Sequence, residues 1–135
     1  MEHPKTAPHI NTETPYEIRE RAFLFACDVI RAAQELQRRG QIASALSLHL
    51  VECAVNAASN LEEGNDGSSP RDFRAKDRIA LREFKESRLR LRILRATGYL
   101  TDRDDPLIRE STELVKITAT MIRNSAANET RTRNP

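Results

Sequence analysis

The sequence predicts a single, soluble, all-α domain built as an antiparallel up-down four-helix bundle, and three observations lead to this fold class. A chain of 135 residues with 39% hydrophobic content can bury one core but leaves no room for two domains. Scarce glycine and aromatic residues, together with abundant alanine, leucine, arginine and glutamate, favour helix over sheet. Apolar residues also recur at steps of three and four in four segments separated by short polar turns, which is typical of antiparallel helices.

The first helix is expected to begin at Pro15. Thr14 suits the cap position, proline suits the first helical position, and Glu17 completes a capping box. The basic pair Arg38-Arg39 followed by Gly40 marks its end. Its apolar stripe consists of Ile18, Ala22, Phe25, Val29, Ala33 and Leu36.

The second helix, from about Gln41 to Glu63, is apolar around most of its circumference. A helix of this kind is buried on more than one side. The surplus apolar surface suggests a contact between subunits. The alternative is a central helix covered by its neighbours and by the tails.

The third helix starts at the cap signal Ser69-Pro70-Arg71-Asp72 and ends before Gly98. The fourth helix follows a capped turn at residues 101–106, and its apolar periodicity stops at Asn124. We therefore expect a bundle over residues 15–123, with a flexible N-terminal tail at 1–14 and a disordered C-terminal tail at 124–135.

Charge is distributed unevenly along the chain. Residues 71–98 hold ten basic residues against four acidic ones, a net charge of +6, whereas the second helix carries −3. At 100° per residue, five cations of the third helix fall within about 80° of one another and form a continuous ridge. They are Arg74, Arg78, Arg82, Lys85 and Arg92.

Such a ridge suits the phosphate backbone of RNA or DNA, since neutralised phosphates release counterions without any sequence readout. The alternative is a solvated face, or arginines paired with acids of the second and fourth helices. No aromatic residues are interleaved with the ridge, so stacking of single-stranded bases is disfavoured and backbone or duplex binding is expected.

The sequence offers little for catalysis, metal binding or targeting. Cys27 and Cys53 lie within apolar helical patterns, where reduced, buried cysteines are expected. His49 and Cys53 stand one turn apart, but two ligands do not make a metal site, and Glu83 with Glu86 is expected to form ion pairs. We therefore expect no enzyme activity, no cofactor and no metal. With neither a signal peptide nor about 20 uninterrupted apolar residues for a membrane span, a cytoplasmic protein without membrane contact is expected.

Three short motifs resemble a known bacterial family. Residues 59–64, Ser-Asn-Leu-Glu-Glu-Gly, resemble the family motif Ala-Asn-Ile-Ala-Glu-Gly, and Asp72-Phe73 follows after a polar loop. Residues 79–87 are similar to a family run Ile-Ala-Leu-Lys-Glu-Ala-Arg-Glu-Thr, and residues 98–100, Gly-Tyr-Leu, to its close. The chain thereby resembles the four-helix bundle proteins encoded in 23S ribosomal RNA intervening sequences. Arg88 to Arg92 replaces a Tyr-Trp-Leu-Arg-like stretch of that family.

The resemblance implies an up-down bundle that assembles as a ring-like homopentamer. It also implies a relation to the accessory variability determinants of diversity-generating retroelements, which bind nucleic acid and a reverse transcriptase. A polar cluster, placed by the resemblance on adjoining helices, is expected to fix helix register or the subunit contact, with Arg82 or Lys85 as partners. It consists of Asn60, Glu63, Glu83 and Glu86.

These observations together predict a non-enzymatic, homo-oligomeric nucleic-acid-binding accessory protein, with the ridge on the third helix contacting phosphates and a reverse transcriptase as a candidate partner. The alternative is a protein-interaction scaffold, or a protein associated with the ribosome or its RNA.

Overall fold

The chain folds into four α-helices over the residues that its computed structural model describes, 15–66 and 69–133, and these ranges contain no strand. The predicted all-α fold is confirmed. Two 3-10 turns, Gln37–Arg39 and Asp102–Asp104, lie just before the second and fourth helices. The helices are α1 (Pro15–Leu36), α2 (Gln41–Asn65), α3 (Pro70–Ala96) and α4 (Asp105–Arg133). The tail predicted at residues 1–14 lies outside the described residues.

Local signals in the sequence explain where the helices begin and end. The Ser69 hydroxyl accepts a hydrogen bond from the backbone N–H of Asp72 at 3.1 Å and so caps α3. After α3, Gly98 has a φ of +86°, which lets the backbone N–H groups of the next two residues donate to the Leu94 carbonyl. Gly40, at φ +111°, turns the chain from the end of α1 into α2.

Each helix packs against the next one along the chain, and α1 also contacts α4, so consecutive helices run antiparallel around one core. Phe25 of α1 and Phe84 of α3 meet edge to face across this core, with ring centroids 6.1 Å apart. Full burial of a side chain of this size contributes roughly 1.5–3 kcal/mol. Other large core side chains are Ile18, Val29, Leu36, Leu50, Leu91, Leu94 and Leu114.

Three serines are fully buried without cost to the core, because each hydroxyl donates within its own helix. Ser47 donates to the Ser44 carbonyl at 2.7 Å, and Ser111 to the Ile108 carbonyl at 2.6 Å. Ser87 donates to the carbonyl four residues earlier at 2.9 Å. The hydroxyls are therefore satisfied locally and leave the apolar contacts between helices undisturbed.

Asp77 is the exception among the buried polar side chains of α3. It is fully buried, and neither carboxylate oxygen has a hydrogen-bond partner. Burial raises the pKa of Asp77 to about 7. Gly64 of α2 lies against it: a Cβ there would come within 2.9 Å of Asp77 Oδ1 and 3.2 Å of Lys76 Cβ. Glycine at this position therefore allows α2 and α3 to approach closely.

The fourth helix is longer than the sequence predicts. The disordered tail expected from residue 124 is wrong for residues 124–133, which continue α4 to Arg133. The polar side chains of this segment contact α3: Ser125 and Glu129 both bind Arg74. A prediction from apolar periodicity does not include such polar contacts, and it therefore placed the end of the helix too early. Residues 134–135 lie outside the described residues.

The second helix carries more apolar surface than the bundle covers, as predicted. Ile42, Leu48 and Val55 are 66%, 51% and 42% exposed. Among the described helices, α2 alone is long and apolar enough in composition to match a membrane span, a match the sequence prediction did not make. Its core face, with Ala43, Leu50, Ala54, Ala57 and Leu61, is packed within the bundle.

Candidate nucleic-acid interface

Four of the five cations predicted to form the ridge on α3 are exposed. Arg78, Arg82, Lys85 and Arg92 lie on the side of α3 opposite its buried residues, and the Arg82 side chain is 67% exposed. Because successive side chains of this row are three to seven residues apart, their charges follow one another along the helix axis. The sequence pattern thus identified an exposed basic surface on α3.

Arg74 does not belong to that exposed surface. Its side chain is only 13% exposed, it forms an ion pair with Glu129, and its guanidinium donates to the Ser125 hydroxyl at 3.2 Å. Arg74 therefore attaches the end of α4 to the start of α3. For Arg74 the structure agrees with the alternative interpretation, in which an arginine of the third helix pairs with an acid of the fourth. The identity of the acid was not predicted, because Glu129 lies in a segment expected to be disordered.

The ridge is also less continuous than predicted. Leu89, which is 52% exposed, stands between Lys85 and Arg92 in the same row. Ile93, one turn after Leu89, is 43% exposed. The C-terminal half of the α3 surface thus mixes cations with apolar side chains.

A second row of cations, which the sequence prediction missed, lies on α4. Arg109, Lys116 and Arg123 are all exposed and follow one another at intervals of seven residues. Arg78, Lys85 and Arg92 of α3 have the same interval, so each row forms one stripe along its helix, with charges roughly 10.5 Å apart. The seven-residue spacing of these cations is present in the sequence and could have predicted the row on α4.

Two contacts set the register of α4 against α3. Arg95 of α3 donates to Asp105 of α4 at 2.9 Å, and Arg74 of α3 donates to Ser125 of α4 at 3.2 Å. The two α3 residues are 21 positions apart and the two α4 residues are 20 positions apart, so the helices run antiparallel with matching spacing. In this antiparallel register, residues 123, 116 and 109 lie within one or two residues of the levels of 78, 85 and 92.

Both stripes flank the seam between these helices. On α3, Arg78 follows Arg74 by one turn, and on α4, Arg109 follows Asp105 by one turn. Arg74 and Asp105 each contact the opposite helix. Residues one turn apart share a side of a helix, so the stripes that begin at Arg78 and Arg109 lie beside the contact between α3 and α4. We call this surface the basic face; it consists of Arg78, Arg82, Lys85, Arg92, Arg109, Lys116 and Arg123.

The predicted polar cluster separates into parts. Asn60 donates to the Asn56 carbonyl of its own helix at 2.8 Å. Glu63 forms an ion pair with Lys76 of α3, with 3.0 Å between Nζ and the carboxylate. These two residues therefore do not join the other members, although the Glu63 pair does connect α2 with α3.

Glu83 and Glu86 instead lie beside Cys53, which the sequence prediction weighed as a metal ligand only together with His49 and expected to be a small buried hydrophobe. The Cys53 thiol of α2 is 3.6 Å from Glu86 Oε2, and the ligand atoms of all three side chains lie within 4.8 Å of one another. Of the predicted partners, Arg82 lies 3.9 Å from Glu83, while Lys85 is exposed on the basic face. Arg90, 3.8 Å from Glu86, was not foreseen.

Comparison with protein families identifies the family of this chain. Residues 15–120 match the model of the 23S rRNA-intervening sequence protein family. The chain belongs to this family. No curated protein matches the sequence.

A solved structure has the same fold as this 23S rRNA-intervening sequence protein. It is a protein of unknown function from the S23 ribosomal protein family of Bacteroides thetaiotaomicron, with a TM-score of 0.74 and 22% sequence identity. The similarity covers 81% of this chain and 97% of that one. It supports the arrangement of the helices.

An apolar surface occupies the seam between α1 and α2 of this 23S rRNA-intervening sequence protein. Arg19 and Glu62 face each other across that seam at 3.2 Å. Val55 and Leu48 lie one and two heptads before Glu62, and Phe23 and Ile30 follow Arg19 on the same side. We call these four residues the apolar seam: Phe23, Ile30, Leu48 and Val55, which are 57%, 39%, 51% and 42% exposed.

The cysteines and His49 of this family member occupy different surroundings. Both are free thiols; Cys53 is buried as expected, whereas the prediction of burial is wrong for Cys27, which is half-buried. His49 is exposed, with Nδ1 4.0 Å from Glu52 of its own helix. His49 therefore does not belong to the group formed by Cys53, Glu83 and Glu86.

Proposed function

We propose that this 23S rRNA-intervening sequence protein is a non-enzymatic, homo-oligomeric protein that binds the phosphate backbone of nucleic acid through the basic face. The observation that carries the proposal is the pair of parallel stripes on α3 and α4, with seven exposed cations in total. Neighbouring helix axes in a bundle lie roughly 8–10 Å apart, so the stripes form a surface rather than a line.

The charges of the basic face are largely uncompensated by nearby acids. Lys116 lies 3.6 Å from Glu113, and Arg82 lies 3.9 Å from Glu83. The Lys116–Glu113 pair is exposed on both sides and therefore weak. The Arg82 side chain is 67% exposed and too far from Glu83 for a hydrogen bond, so both cations stay available to phosphates. The acidic residues of α2 lie on another part of the bundle, which gives the molecule a polarised charge distribution.

The test measures binding of 23S rRNA fragments and of duplex DNA while the salt concentration is varied. The family description refers to intervening sequences of 23S rRNA, which makes ribosomal RNA the first nucleic acid to test. We expect Arg78→Ala/Lys85→Ala to weaken binding and, for duplex DNA, to reduce the slope of log K against log salt by about 1.8, since each phosphate contact contributes about 0.9.

A matched control removes two cations elsewhere on the protein. Arg31→Ala/Arg38→Ala changes the net charge equally, and both side chains are exposed near the end of α1. The control should keep wild-type affinity and slope. Equal losses of affinity in both double variants would show that binding depends only on net charge and not on the basic face. Equal affinity of the Arg78/Lys85 variant and the wild type would refute the proposal.

The assembly part of the proposal is supported by the apolar seam. Exposed apolar side chains from two adjoining helices form a patch of the kind that marks contacts between proteins. A second copy of the chain is the proposed occupant, and a homopentameric ring is the assembly implied by the family resemblance.

A protein-interaction scaffold is the second candidate, and the apolar seam is the observation that favours it. In this case the seam binds a different protein, such as a reverse transcriptase or a ribosome-associated protein. Capture of a partner that survives nuclease treatment and is lost in a Phe23→Glu variant, with wild-type self-association, would favour this candidate over the first.

A further inference from the structure

A group of metal-ligating side chains lies between α2 and α3. None of them belongs to the basic face, although Arg82 of that face lies 3.9 Å from Glu83. Cys53 of α2 and Glu83 and Glu86 of α3 direct a thiol and two carboxylates towards one another, with all ligand atoms within 4.8 Å. Glu83 and Glu86 are three residues apart and so share one side of α3. Three ligand side chains from two packed helices thus converge on one point.

The surroundings distinguish this group from an ordinary surface cluster of acids. Cys53 is only 6% exposed and the Glu83 side chain 14%, whereas the Glu86 side chain is 45% exposed and leaves one side open. The group is therefore accessible to an ion while most of it is shielded from water.

The neighbouring cations leave the carboxylates without a hydrogen-bonded charge partner. Arg90 and Arg82 approach Glu86 and Glu83 only to 3.8 and 3.9 Å, and the Arg90 guanidinium donates instead to the Glu86 backbone carbonyl at 3.3 Å. Within the described part of the chain, the only hydrogen bond to either carboxylate comes from the Cys53 thiol. A buried carboxylate is stabilised when a stronger partner binds it.

We propose that Cys53, Glu83 and Glu86 form a binding site for a divalent zinc-like cation, with water at the fourth position. A tetrahedral site with Zn–S near 2.3 Å and Zn–O near 2.0 Å places sulfur and oxygen about 3.5 Å apart. Cys53 Sγ and Glu86 Oε2 are already 3.6 Å apart. The Glu83 ligand oxygen lies within 4.8 Å of both atoms, so metal binding requires a rotation of the Glu83 side chain.

The ligand types select the ion. A thiolate excludes Mg²⁺ and Ca²⁺, which prefer oxygen ligands, and a mixed thiolate and carboxylate set suits Zn²⁺ or Co²⁺. In the free protein, burial first and then the nearby carboxylates raise the pKa of Cys53 to about 11, so the thiol is protonated. Formation of the metal–sulfur bond therefore releases this proton to solvent.

Cobalt titration of the full chain tests the site, because a cobalt–thiolate bond gives a charge-transfer absorption that binding to histidines does not. This readout separates the site from binding by His3, His9 or His49. We expect one equivalent of Co²⁺ to bind with this absorption, Zn²⁺ to displace it, and about one proton to be released per ion.

Matched variants decide the assignment. Cys53→Ser should abolish the absorption, and Glu83→Gln and Glu86→Gln should each weaken Co²⁺ binding by at least about tenfold. Cys27→Ser and Glu52→Gln, which change the same residue types outside the group, should leave it unchanged. The proposal is wrong if Cys53→Ser retains the absorption, if Cys27→Ser loses it, or if wild-type protein shows none.

Circular dichroism of each variant without metal serves as the folding check. Glu86 is partly exposed, so Glu86→Gln should keep the wild-type fold and provides the deciding comparison with Glu52→Gln. The metal site and nucleic-acid binding are separate proposals. Zinc binding without RNA or DNA binding would support the metal site and reject the proposed function, and nucleic-acid binding without zinc binding would do the reverse.

Discussion

At the scale of single residues, Asp77 makes stability depend on pH. Its carboxyl is buried without a hydrogen-bond partner, and its pKa is raised from 3.8 to about 7 by burial. Between these two pH values the folded chain keeps a proton that the unfolded chain has lost. The free energy of unfolding therefore falls by about 1.4 kcal/mol per pH unit as pH rises through this range, and levels off above it.

Asp77→Asn should remove this dependence because the amide does not titrate. Between pH 5 and pH 8 we expect the free energy of unfolding of the wild type to fall by about 2–3 kcal/mol relative to that of the variant. Urea unfolding at several pH values measures it. Asp66→Asn, at an exposed position just after α2, should run parallel to wild type; a parallel curve for Asp77→Asn would contradict the burial argument.

At the scale of helices, Arg74 connects the C-terminal end of α4 to the start of α3. Arg74→Ala removes the ion pair with Glu129 and the hydrogen bond to Ser125. Because Arg74 is largely buried, we expect a loss of roughly 1–3 kcal/mol in the free energy of unfolding. Faster hydrogen exchange should be confined to the last turns of α4 and the first turn of α3.

Arg78→Ala is the control for that variant, since Arg78 is one turn further along α3 and is exposed. Its stability should stay within about 0.5 kcal/mol of wild type, although it should bind nucleic acid more weakly. If the two variants have equal stability, α4 does not depend on Arg74.

The helices themselves were largely predictable because their end signals are local. Pro15, Gly40, Ser69-Pro70 and Gly98 mark boundaries that the structure places within a few residues of those positions. The end of α4 was not predictable from apolar periodicity, since polar contacts to Arg74 hold it. The exposure of Arg78 and Arg92 follows from one helix alone, whereas the approach of Glu86 to Cys53 requires the register between two helices.

At the scale of the whole molecule, the apolar seam should control self-association. Phe23→Glu/Leu48→Glu places two charges on exposed apolar positions, so we expect a smaller assembly with helicity and melting temperature little changed. Sedimentation velocity across a concentration range measures the size. A Thr120→Glu/Asn128→Glu control adds equal charge to exposed positions on α4 and should assemble as wild type does. An unchanged size for the seam variant would place any self-contact elsewhere.

The α1–α2 and α3–α4 seams lie on opposite sides of the bundle, because each helix contacts its neighbours in chain order. Copies joined through the first seam would therefore turn their second seams outward. Such an assembly is multivalent: one long nucleic acid would engage several subunits, and each bound subunit would raise the local concentration for the next. Under the proposed function, affinity would then rise steeply with polynucleotide length.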